Sequence, residues 1–76
     1  MALAYILINS ELGKEDELIK KLKILQEVTE AYRVYGVYDI IVKVEAENQQ
    51  VLKDAVFTKI RKMDEVRTTL TMIVID

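Results

Sequence analysis

The tetrad Gly36-Val37-Tyr38-Asp39 is the most specific grouping of chemically useful residue types in the chain. Gly36 admits a positive φ and leaves backbone amides accessible, Tyr38 joins an apolar body to a hydroxyl, and Asp39 supplies an anion or a cap for the turn. An α-amino acid asks for such partners: a carboxylate or carbonyl for its ammonium, and exposed N–H or hydroxyl donors for its carboxylate. Read alone, a Gly-x-Tyr-Asp sequence is more often only a turn. A second grouping, Arg67-Thr68-Thr69-Leu70-Thr71, puts Thr69 and Thr71 on one face of a strand by the period of two. Their hydroxyls could bind a polar ligand, or serve only strand propensity and cross-strand pairing. Ser10 is the sole serine and has no base to activate it as a nucleophile. Glu45 and Glu47 share a strand face, but Lys43 beside them disfavours a metal.

Composition narrows the chemistry further. The 76 residues hold no Cys, His, Pro or Trp, and glycine occurs only at positions 13 and 36. Thiolate and imidazole catalysis, a conventional zinc site and disulfides are thereby excluded, and two isolated glycines cannot build a phosphate loop or a dinucleotide fingerprint. No cofactor is expected, and binding is favoured over catalysis. A net charge of −2, a pI near 5.1 and basic residues interleaved with acids argue against direct nucleic-acid binding. No apolar run approaches the roughly 20 residues of a membrane span, and Ala2 to Ile8 lacks the flanks of a signal peptide, so no membrane partner and a cytoplasmic location are expected.

These candidate residues have to be positioned by a small set of elements. Ala2 to Asn9 is apolar on both alternating sets, Leu3/Tyr5/Leu7 and Ala4/Ile6/Ile8, as in a central strand covered on both faces. Ser10-Glu11-Leu12-Gly13 breaks the run. Lys14 to Leu25 then places Leu18, Ile19, Leu22 and Leu25 at helical spacing, with acids at its start and lysines towards its end. Val28 to Tyr35 alternates, with Val28, Tyr32 and Val34 on one side, and Asp39 to Ala46 alternates again across the Gly36 turn, which reads as a β-hairpin. Asn48 can cap a second helix whose stripe is Val51, Leu52, Ala55, Val56, Ile60 and Met63. Val66 to Ile75 closes the chain as a strand.

The order β-α-β-β-α-β predicts a single α+β domain over residues 1–76. Its expected fold is ferredoxin-like, a four-stranded antiparallel sheet with two helices on one face. The other sheet face is then bare, yet Leu70, Met72 and Val74 line one side of the last strand and Ile73 and Ile75 the other. Whichever set faces the helices, a contiguous apolar patch remains. Burying a further ~600 Å² of it would contribute about 15 kcal/mol gross at ~25 cal/mol per Å², before the cost of association. A domain this short buries only about 60% of its unfolded surface, so sheet-to-sheet dimerisation is the expected supplement.

The run Val28 to Val44, VTEAYRVYGVYDIIVKV, resembles the centre of the effector-binding domain of Lrp/AsnC transcription regulators, the RAM (regulation of amino-acid metabolism) domain. The ending KIRKMDEV, Lys59 to Val66, followed by Thr69-Leu70-Thr71, is similar too. The resemblance implies a βαββαβ fold of the dimeric α-β barrel type, dimers assembling into octameric or similar rings, and a small amino-acid effector bound between dimers. On matching positions it assigns ligand contacts to Gly36, Val37, Tyr38, Asp39, Thr69 and Thr71. Such regulators carry an N-terminal helix-turn-helix, and this sequence starts at the first strand. The resemblance is therefore to stand-alone RAM proteins, which would act indirectly, by co-assembly with a full-length Lrp/AsnC regulator or by scavenging the effector. Where the family usually has glycine before Val66 this chain has Glu65, a change expected to matter only for the local turn. Two rival readings stand beside this one: an ACT-type amino-acid sensor, with ligand near Gly13, and a ligand-free oligomerisation domain. An enzyme on the same fold is more distant.

Overall fold

The structure, a computed structural model, describes residues 1–75. In chain order the elements are β1 (Ala2–Ser10), α1 (Glu15–Ile24), β2 (Val28–Arg33), β3 (Ile40–Ala46), α2 (Gln49–Asp54), a π-helical continuation (Ala55–Ile60) and β4 (Val66–Ile73). The strands form one sheet in the order β2-β3-β1-β4, each neighbouring pair antiparallel. β1 and β2 are therefore parallel with β3 between them, and β3 and β4 are parallel with β1 between them. This is the split βαβ arrangement of the ferredoxin-like fold.

Alternation sorts the central strands. Ala2, Ala4, Ile6 and Ile8 of β1 and Ile40, Val42, Val44 and Ala46 of β3 are buried. They pack in one core with Leu18 and Leu22 of α1 and with Leu52, Ala55, Val56 and Ile60 from the second helical segment. The side chain of Asn48 caps α2 by accepting from Val51 N–H at 2.9 Å. Two ion pairs fasten the helical layer from outside: Lys21 Nζ lies 2.6 Å from Glu65 Oε2, and Lys59 Nζ lies 3.1 Å from Glu27 Oε2. At the far end of the sheet Val74 N–H donates to Leu3 C=O at 2.9 Å, extending the β1–β4 ladder to the last described residues.

Three details differ from the pattern read along the chain. β2 stops at Arg33, and a register shift between Val28 and Glu30 puts Val28 and Ala31, not Val28 and Tyr32, on the core side. A bulge adds one residue to a strand and so inverts the alternation beyond it. β4 ends at Ile73 rather than Ile75. The second helix widens after Asp54, where Arg61 N–H reaches back five residues to Val56 C=O at 3.0 Å. Ala55, Val56 and Ile60 are buried as the helical stripe predicts, but Val51 of that stripe lies on the outer side of α2 and is 38% exposed.

The opposite, helix-free sheet face is apolar along most of its width. Across it run Tyr32, Ile41, Leu7 and Leu70 in one row, and Glu30, Lys43, Tyr5 and Met72 in the next. Leu70 and Met72 are 45% and 44% exposed. The central Leu3, Tyr5, Leu7 and Ile41 are half-buried by neighbours in the sheet alone.

Candidate functional site

The turn between β2 and β3 is fastened to the end of β1. Val34 N–H donates to Asp39 C=O at 2.8 Å, closing the turn, and Asp39 N–H donates to Ile8 C=O at 3.0 Å. The Asp39 carboxylate then accepts from Ser10 N–H at 3.2 Å. Gly36 sits at φ +142 with no atom within 4 Å of where a Cβ would lie, so backbone conformation, not crowding, calls for glycine here. Among the described residues, no backbone N–H of Gly36, Val37 or Tyr38 donates within the chain. The tip projects outward: Val37 is 84% exposed and Tyr35 fully so, while Tyr38 and Asp39 are half-buried. Beside it Arg33, Val34 and Tyr35 line an open hollow of about 390 Å³.

Thr69 and Thr71 share a face, but it is the helix side of β4, where they lie opposite Ile8 and Ile6. Both are half-buried. Thr69 and Asp39 thus flank the same residue of β1, Ile8, from its two sides, at a separation of about two strand spacings, ~10 Å. Thr71 is one pleat further from the turn. No hydrogen bond joins the threonines to the tetrad among the described residues, and one copy of the chain surrounds neither group. The geometry offers a carboxylate, free amides and two hydroxyls around one sheet end, open towards a second surface.

Two residues at this sheet end matter more than their sequence context showed. Ser10 is 5% exposed, and its amide is what Asp39 holds. Glu65 is buried at 8% exposure and receives both Lys21 and, through its backbone carbonyl, Glu11 N–H at 2.8 Å. It therefore links β4 to the β1–α1 connection and to α1, which goes beyond a local turn. The Lys21 hydrogen bond, assisted by a backbone N–H, holds the Glu65 carboxyl below the usual carboxylate value, and the same bond raises Lys21. The signal for Glu65 in the sequence was only its place where a glycine is usual; its partner lies 44 residues away.

On the helix-free face Lys43 lies 3.5 Å from Glu30 and 3.7 Å from Glu45. Glu45 is thus engaged with a cation in the sheet, while Glu47 lies beyond the strand and is exposed. No group of three or more acidic side chains among the described residues could hold a metal ion. Among the described residues no helix is long and apolar enough to cross a membrane.

Comparison with known proteins places the fold. Residues 3–76 match the family model described as the Lrp/AsnC ligand binding domain. The regulatory protein AsnC of Escherichia coli is 40% identical over 57 residues, which are 75% of this chain and 38% of AsnC. The HTH-type transcriptional regulator FL11 of Pyrococcus furiosus is 36% identical over 73 residues, 96% of this chain and 48% of FL11. The chain thus spans about half or less of the length of these curated relatives. Among solved structures, that of FFRP-DM1 superposes with a TM-score of 0.95 at 49% identity, covering 99% of this chain and all of that one. With the family model matching residues 3–76 and the fold reproduced, the chain belongs to the Lrp/AsnC ligand binding domain family.

Proposed function

We propose that the chain is an amino-acid-sensing regulatory domain that binds a small amino acid where copies of the chain meet. It would modulate Lrp/AsnC-type transcription regulators through assembly. The observation that carries the reading is the pinned turn. Asp39 presents a carboxylate for an ammonium group, the unengaged amides around Gly36 and Val37 suit a carboxylate, and Thr69 stands across β1 as a further hydroxyl. Tyr38 supplies a half-buried wall, and Thr71 extends the hydroxyl pair along β4. Because one copy leaves these groups open, a second copy has to close the site.

The helix-free face supplies the means of assembly. Leu3, Tyr5, Leu7, Ile41, Leu70 and Met72 form an apolar surface of the kind that a monomer rarely keeps exposed, and sheet-to-sheet pairing would bury it. Dimers would then associate further into an octamer or similar ring around the projecting turns, with a full-length regulator of the same family as an alternative subunit. For an effector to act on such an equilibrium it must bind the two assemblies with different affinity, since equal affinity shifts nothing. Light scattering with and without a panel of free amino acids tests this directly. The expected result is an oligomer whose mass or thermal stability responds to one or a few amino acids. A monomer indifferent to all of them overturns the reading, and a well-formed oligomer indifferent to all of them leaves only an oligomerisation domain.

A further inference from the structure

The helix-free face carries one feature that hydrophobic burial would not select. Lys43 stands in the middle strands, between Glu30 on β2 and Tyr5 on β1, with its side chain only 28% exposed. Its ammonium is 3.5 Å from Glu30 Oε2 and 3.7 Å from Glu45 Oε1, both well beyond the roughly 2.8 Å of a charge-assisted hydrogen bond. Glu30 is further engaged, since its other oxygen accepts the Tyr32 hydroxyl at 2.8 Å. The triad Glu30-Lys43-Glu45 is thus assembled but slack. Next to water that is inexpensive. Sealed under a second apolar surface, an ammonium whose nearest carboxylate oxygens stand 3.5 and 3.7 Å away would lose its water without a short hydrogen bond to replace it, which is strongly destabilising.

We propose that, where two copies pair through this face, Lys43 of each copy hydrogen-bonds a carboxylate, Glu30 or Glu45, of the other, so that the triad fixes pairing and register. This rests on the sheet-to-sheet dimer proposed above. A two-fold interface presents one patch to itself and must contain both members of every pair it makes. The triad holds a donor and two acceptors within one patch. β3 has 7 residues, and four strands about 4.8 Å apart and ~3.3 Å per residue give a flat footprint on the order of 400 Å² a side. The relief of the exposed Tyr32, Leu70 and Met72 side chains has to raise this to the roughly 600 Å² of accessible surface per partner of the smaller specific interfaces. The apolar residues supply the affinity, and the exchanged charges discriminate against mispaired or shifted faces.

Complementary charge reversal tests the exchange. Sedimentation equilibrium would be run on the wild type, on Lys43→Glu, on the double variant Glu30→Lys/Glu45→Lys, and on an equimolar mixture of the two variants, with circular dichroism confirming that each is folded. The wild type is expected to dimerise, each variant to dimerise on the order of 100-fold more weakly, and the mixture to recover a 1:1 heterodimer. Should Lys43→Glu not fold, Lys43→Gln replaces it, with a weakening of about tenfold expected. A monomeric wild type overturns the sheet-to-sheet dimer and the exchange together. A dimeric wild type whose variants pair as tightly as it does overturns the exchange alone, as does a mixture of folded variants that stays monomeric.

Discussion

Asp39 is given two separable tasks, holding the end of β1 and receiving a ligand, and substitution can tell them apart. Asp39→Ala removes the acceptor from Ser10 N–H, and Ser10 is 5% exposed, so water does not readily take its place. A hydrogen bond to a charged acceptor contributes about 1.5–3 kcal/mol, and a length of 3.2 Å points to the lower figure. In a domain of this size each kcal/mol moves Tm by about 4–8 °C, so Asp39→Ala should lower it by about 6–12 °C at fixed protein concentration. Asp39→Asn keeps a side-chain carbonyl in place but loses the charge, and the bond falls to about half its strength. Its drop in Tm should therefore be less than that of Asp39→Ala. The ligand response should behave otherwise, because an amino acid's ammonium needs the charge. Wild-type protein with effector at about 100 times its Kd gains roughly 2.7 kcal/mol, and both variants should lose most of that gain. Differential scanning calorimetry with and without the effector reads both quantities. If Asp39→Asn loses as much stability as Asp39→Ala, the bond to Ser10 is not what Asp39 contributes. If Asp39→Asn keeps the full ligand shift, the ammonium is held elsewhere.

Other consequences can be measured separately. Because Lys21 holds the Glu65 carboxyl below its ordinary value of 4.5, the unfolded chain takes up that proton more readily than the folded one. The pair's contribution is then fully present above about pH 4.5 and is lost as pH falls through the folded value, so Glu65→Gln should flatten the acid limb of stability against pH in denaturant titrations. Ile6→Ala, at a fully buried position on the central strand, should cost about 2–5 kcal/mol by chemical denaturation, a large share of the roughly 4–11 kcal/mol typical of a domain this size. Leu70→Glu, by contrast, changes a residue that is 45% exposed in the single copy, and should leave a folded chain that sediments as a monomer.

The sheet and its two helices were legible because the core is written in regular periods. Ile40, Val42, Val44 and Ala46 keep strict alternation, and Leu18, Leu22 and Leu25 keep helical spacing, so local pattern and burial agree. Periodicity failed where the backbone adds a residue. The bulge after Val28 brought Ala31 inward in place of Tyr32, whereas the stripe of the second helix placed Ala55, Val56 and Ile60 correctly and missed only at Val51, which is 38% exposed. At the candidate site, the tetrad was visible as turn chemistry, and its fastening to β1 was not, since the bond from Ser10 N–H to Asp39 spans 29 residues of sequence. Thr69 and Thr71 were correctly put on one face, but alternation within a strand cannot say which face that is. Register against Ile8 and Ile6 decides it.

The ladder between β1 and β4 brings the start of β1 beside Val74, at the sheet end opposite the Gly36 turn. The two ends of the described chain therefore emerge together, and the run of β1 from Leu3, beside Val74, to Ile8 and Ser10, which hold Asp39, puts about 20 Å between them and Asp39. A domain or tag fused at either end would sit beyond the reach of anything bound at the turn. Communication between the two must then run along a hydrogen-bonded sheet that resists bending, or pass through neighbouring subunits. For the same reason, a short linker joining the two ends would close the chain on itself at the sheet end away from the turn, leaving the turn intact.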